Sequence, residues 1–123
     1  MMSRLINWFE IPAADFDRAR RFYETVFAVT LKEEDFGGGR MGVFPYPDGA
    51  TGGAIVRMEK MAPSPQGVVI YLDGGDDLDV PLGRVWEAGG TVVMPKMRVS
   101  PEIGCIALFR DSEGNTVGLH SPH

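Results

Sequence analysis

One internal repeat constrains this chain more than any other feature. Shifting the sequence by 62 positions lays Phe9, Glu10 and Ile11 on Tyr71, Leu72 and Asp73, and Asp15, Phe16 and Asp17 on Asp77, Leu78 and Asp79. The same shift lays residues 52–56, GGAIV, on residues 114–118, GNTVG. The first copy opens with residues 6–27, INWFEIPAADFDRARRFYETVF, which read as a strand, a tight turn and an amphipathic helix. A chain that uses one such unit twice has two apolar helix stripes and two half-apolar sheets to cover, which points to a layered α+β fold.

Taken in order, residues 4–11 are β-prone and stop where Pro12 removes a ladder donor. Asp15 is the natural N-cap of a helix whose apolar positions Phe16, Ala19, Phe22, Tyr23, Val26 and Phe27 recur at helical spacing. Three strands are expected at 31–35, 41–44 and 54–58, separated by Gly37 to Gly39 and by the Gly- and Pro-rich stretch 45–53. The second unit repeats the plan with a strand at 68–72, a helix at about 77–88 closed by Gly89 and Gly90, and strands at 91–94, 105–110 and 116–120. Residues 94–104, MPKMRVSPEIG, read as an irregular flap whose Lys96 or Arg98 either holds an anionic group or faces water. Residues 111–115, DSEGN, are explained as a hairpin turn and not as a metal loop.

Composition narrows the function classes. At 123 residues the expected organisation is one domain, 1–123, with unit one at about 4–60 and unit two at about 66–121. A net charge of -5 argues against nucleic acid, and Arg18, Arg20 and Arg21 are opposed by Asp15, Asp17 and Glu24, as on a solvated helix face. No apolar run approaches the ~20 residues that cross a bilayer, and no signal peptide is visible. Cys105 is the only cysteine, so no internal disulfide can form and a cytoplasmic location is expected; the thiol reads as a small buried residue in a strand.

The FEIP strand end ahead of an acidic turn, the RRFYETVF helix and the closing FRDSEGNTVGLHSP hairpin together resemble the vicinal oxygen chelate superfamily, which includes glyoxalase I, bleomycin-resistance proteins and extradiol dioxygenases. The resemblance covers nearly the whole chain and is closest to small glyoxalase-related proteins. It implies two βαβββ units in tandem, a curved and largely antiparallel sheet around a cavity, one helix per unit packed outside, and a homodimer. Metal-using members take ligands from the first and fourth strands of each unit, which the resemblance places at Trp8, Val56, Ile70 and Gly118. None of those side chains offers an imidazole nitrogen or a carboxylate oxygen, so no metal and no other cofactor is expected.

Strand alternation then sets Trp8 beside Glu10, Val56 beside Met58, Ile70 beside Leu72 and Gly118 beside His120. The expected interior is an apolar small-molecule pocket lined by Trp8, Val56, Met58, Ile70, Leu72 and Gly118, with Tyr71 on the opposite face beneath the second helix. Trp8 is either a stacking platform or a core aromatic. Glu10 and His120 are the candidate catalytic residues: they form an acid-base pair, a hydrogen-bonded pair that orders the strands, or two separate rim residues. Three functions stay open on this reading: a metal-independent small-molecule binder, a lyase or isomerase working through Glu10 and His120 (or a dioxygenase-like member), and a non-catalytic dimeric module.

Overall fold

The computed structural model describes residues 5–123. Its elements run β1 (Trp8–Pro12), α1 (Phe16–Phe27), β2 (Lys32–Phe36), β3 (Gly39–Val43), β4 (Gly52–Arg57), β5 (Tyr71–Asp73), α2 (Asp79–Ala88), β6 (Thr91–Ser100), β7 (Gly104–Arg110) and β8 (Thr116–Ser121). Two βαβββ units therefore stand in tandem, the α+β architecture expected from the repeat. The strands form two four-stranded mixed sheets, ordered β1-β4-β3-β2 and β5-β8-β7-β6, with β1 parallel to β4 and β5 parallel to β8. The Arg4 start expected for the first strand lies outside the described residues.

Local chemistry explains both helices. Asp15 accepts the Arg18 N–H at 3.1 Å and caps α1, which buries Phe16, Ala19, Phe22, Tyr23 and Val26 at three- and four-residue spacing. The helix closes on Ala28 at φ 54, a left-handed conformation that an alanine adopts at a cost. Helix α2 has no side-chain cap at Leu78, carries Pro81 in its first turn and ends at Gly89. The helices pack on each other, and Arg84 Nη1 donates to the Val26 carbonyl at 3.0 Å.

One apolar core joins the two units. Ile11 and Ile55 of the first sheet, Phe22 and Tyr23 of α1, Val85 of α2, and Phe109 and Leu119 of the second sheet belong to the same buried cluster. Cys105 is buried there too, in the strand position expected for it.

The turn between β7 and β8 does more than reverse the chain. Buried Asp111 accepts the Tyr23 hydroxyl at 2.7 Å and the Asn115 amide at 3.0 Å, and Asn115 Nδ2 donates to the Pro12 carbonyl at 2.7 Å. Glu113 accepts the backbone N–H groups of Ala14 and Asp15 at 2.9 and 2.7 Å and pairs with Arg18 at 2.7 Å, its own side chain having no exposed surface. The hairpin of unit two thus clamps the start of α1 in unit one. Arg18 belongs to that clamp and not to a purely solvated face.

The stretch read as a flap is structured instead. Strand β6 continues through Ser100, with breaks in register between Val92 and Met94, between Met94 and Met97, where Pro95 has no N–H to donate, and between Arg98 and Ser100. Lys96 does not reach over a cavity: its ammonium lies 3.1 Å from Asp77 and 3.0 Å from Asp79 at the start of α2.

Candidate functional site

Because the helix-bearing faces of both sheets meet in one core, their other faces lead away from it, and the residues expected in one cavity are divided between them. On the first sheet the register sets Trp8 and Glu10 of β1, Met41 and Val43 of β3, and Ala54 and Val56 of β4 on the outer face. A groove of about 610 Å³ runs across it, lined by Trp8, Lys32, Glu34, Met41, Val43 and Tyr46 among others. Ala54 and Val56 are fully buried within this sheet. Trp8 is 40% exposed and meets the Tyr46 ring edge-on at 6.2 Å, and its indole Nε1 donates to Glu10 Oε2 at 3.3 Å. Tyr46 can lie where it does because Gly52 has no Cβ, which would fall 2.6 Å from the ring.

On the second sheet the outer face carries Tyr71 and Asp73 of β5, Gly118 and His120 of β8, and Ile106 and Leu108 of β7. Here the expected order is reversed on one strand. Leu72 pairs with Leu119 and, like Ile70, packs against the core, whereas Tyr71 lies outward with its ring across Gly118. The reason is a slip of the repeat. Ala13 N–H donates to the Val56 carbonyl and Gly74 N–H to the His120 carbonyl, both at 2.8 Å, so the structural offset is 61 positions from residue 13 to 74 and 64 from residue 56 to 120. On β5 an offset of 61 in place of 62 turns every side chain to the other face, while on β8 an even change preserves it.

The remaining site residues are dispersed. Met58 lies beyond β4, bridges to Met61 and lines a separate recess with Gly37, Gly38 and Glu59. His120 donates from Nε2 to the Ile103 carbonyl at 2.6 Å, holding the turn between β6 and β7. Glu10 is engaged by Trp8, and no hydrogen bond or ion pair joins Glu10 to His120 among the described residues. Tyr46, Met41 and Val43 were not among the residues selected from sequence. Tyr46 sits in a Gly- and Pro-rich stretch that reads as a turn, and its only sequence signal is an aromatic six residues ahead of the Gly52-Gly53 pair.

Residues 5–119 match the family model described as the Glyoxalase/Bleomycin resistance protein/Dioxygenase superfamily. The chain belongs to this superfamily. A glyoxylase-like domain-containing protein of Didymella fabae is 28% identical over 116 residues, covering 90% of this chain and 88% of that protein. A putative glyoxylase of Mycobacterium bovis is also 28% identical, over 92% of this chain and 44% of its own length. Among solved structures, an antibiotic binding protein from Streptomyces sp. CB03234 superposes with a TM-score of 0.65 at 25% identity, over 100% of this chain and 99% of that one. A hypothetical protein from S. aureus superposes with a TM-score of 0.69 at 21% identity, over 98% and 94%, a likeness of fold.

Membership raises the divalent metal that some superfamily members hold, and the donor set here does not fit one. Of the four positions that the resemblance implies, Trp8, Val56 and Gly118 carry indole, isopropyl and hydrogen, Ile70 packs against the core, and among the described residues no three His, Cys, Asp or Glu side chains converge. The superfamily chain also has no helix, among the described residues, long and apolar enough to cross a membrane.

Proposed function

We propose that this chain is a metal-independent small-molecule binding protein of the superfamily, holding an apolar, partly planar ligand against the outer face of its first sheet. The observation that carries the reading is the groove in which Trp8, set at a metal-ligand position by the family resemblance alone, meets Tyr46 edge-on, over a floor that includes Met41 and Val43. Such a surface offers stacking and burial and no Lewis acid. Glu10 accepts the indole N–H and serves on this reading to orient the platform. The 25% identity with an antibiotic binding protein along the full length of both chains supports a binding role.

The same reading calls for a homodimer. Trp8, Tyr46, Tyr71, Met97 and Ile103 are exposed on or beside the two outer faces, an apolar area that a second copy would cover while supplying the opposite wall of the groove. In the dimer the ligand is enclosed between the Trp8 face of one copy and the Tyr71, Gly118 and His120 face of the other.

Thermal melting in the presence of EDTA and a panel of aromatic antibiotics tests this. At least one compound should raise the melting temperature of the wild type and leave Trp8→Ala unmoved. A flat response across the panel, or a rise that appears only with added nickel or zinc, would overturn the proposal. Light scattering on the eluted protein should give twice the chain mass.

A further inference from the structure

The groove on the outer face is not the only opening in the molecule. Seven half-buried apolar side chains pack against the core, and five of them, Phe9, Phe27, Val29, Phe44 and Leu72, converge on a single recess of about 400 Å³ at the seam between the two units. Protein cores are packed densely enough that such incomplete coverage is normally scattered, and a recess of this volume lies within the range of small-molecule sites. Phe44, Pro45 and Tyr46 line both this recess and the outer groove, so the two adjoin along that stretch. The seam recess extends past these shared residues to Phe27, Val29, Leu72 and Asp73, none of which lines the outer groove.

Its charge is one-sided. Asp73 is the only ionised side chain that lines it, and no Lys or Arg does. The Asp73 carboxylate is held in place by the Gly75 N–H on Oδ1 at 2.9 Å and has no ion-pair partner among the described residues. An aromatic box with a fixed, unpaired carboxylate at its rim matches one kind of small molecule. The rings accept an apolar ring edge-on or stacked, and both the ring faces and the carboxylate attract a cation.

We propose that the seam recess is a second binding site, independent of the outer groove, for a small arylalkyl ammonium: the aryl ring inserts among Phe9, Phe27 and Leu72, and the ammonium stays at the rim beside Asp73.

The test uses the full chain, isotopically labelled, titrated with phenethylamine and in parallel with 3-phenylpropionate, which has the same ring and arm and the opposite charge. Amide shifts are expected at Phe27, Val29, Leu72 and Asp73 with phenethylamine, and affinity for the carboxylate at least ten-fold lower. Asp73→Asn, an exposed change that preserves shape, should weaken the amine about five-fold and leave the rest of the spectrum in place. The proposal is overturned if the shifts map instead to Trp8 and Val43, if the two probes bind alike, if Asp73→Asn binds the amine as tightly as the wild type, or if no shifts appear up to the solubility limit. Each of those results leaves the outer groove to be judged by its own experiment, because Trp8 and Val43 report on that face alone.

Discussion

Gly118 has no side chain because the Tyr71 ring occupies its space: a Cβ there would lie 2.3 Å from Tyr71 Cδ1. Gly118→Ala must push the ring off the sheet, and a loss of about 1–3 kcal/mol is expected from overpacking. Urea unfolding checks this, and in a Tyr71→Ala background the same substitution should cost far less, since the two effects share one contact. At this scale the sequence was informative where chemistry is local. The aromatic character of the Trp8 strand follows from residue types alone. Tyr46 and the clamp residue Glu113 were hidden for a common reason: each sits in a stretch whose Gly, Pro or Asn content already accounts for it as a turn, and its second role depends on a partner dozens of residues away.

Helix α1 shows how far an element can be read before folding. The Asp15 cap and the apolar stripe fix its start and its inward face, but nothing local marks Ala28 as the left-handed residue that ends it. Ala28→Gly should relieve that conformation and raise stability by about 0.5–1 kcal/mol, the gain being reduced by the greater freedom of glycine in the unfolded chain. An unchanged or lower denaturation midpoint would show that the helix end is held without strain. The strand β5 marks the opposite limit. The repeat announced a strand at 68–72 where β5 spans Tyr71–Asp73, and it missed the face, because a repeat read as one uniform offset of 62 conceals an offset of 61 on this strand and 64 on β8. A single residue of slip exchanges Tyr71 for Ile70 and Leu72 on the outer surface.

For the molecule as a whole, the repeat specified the unit and left its arrangement undetermined. Which faces of two like units meet is decided by contacts between them, here the shared core and the hairpin clamp around Tyr23, Asp111 and Glu113. Burial alone would raise the pKa of Glu113, but the hydrogen bonds from Arg18, the Asp15 N–H and Ser112, with the Arg18 charge, outweigh it and hold the carboxyl below its ordinary range. A folded value below the unfolded one, about 4.3, means that the clamp is fully stabilising above that pH and weakens as pH falls through the lower folded value. Melting curves of Glu113→Gln should therefore lie below the wild type at neutral pH and converge with it in acid; parallel curves would contradict the assignment. The two outer faces remain without a partner in a single chain, and the functional claim rests on what they enclose. The most direct measurement removes the exposed Trp86 by Trp86→Phe, leaving Trp8 as the only indole, and titrates the variant with 1-anilinonaphthalene-8-sulfonate in EDTA. The account predicts saturable energy transfer from Trp8 to the probe, with metal chelation changing nothing. Absence of saturable transfer, or transfer that disappears with EDTA and returns with added metal, would contradict it.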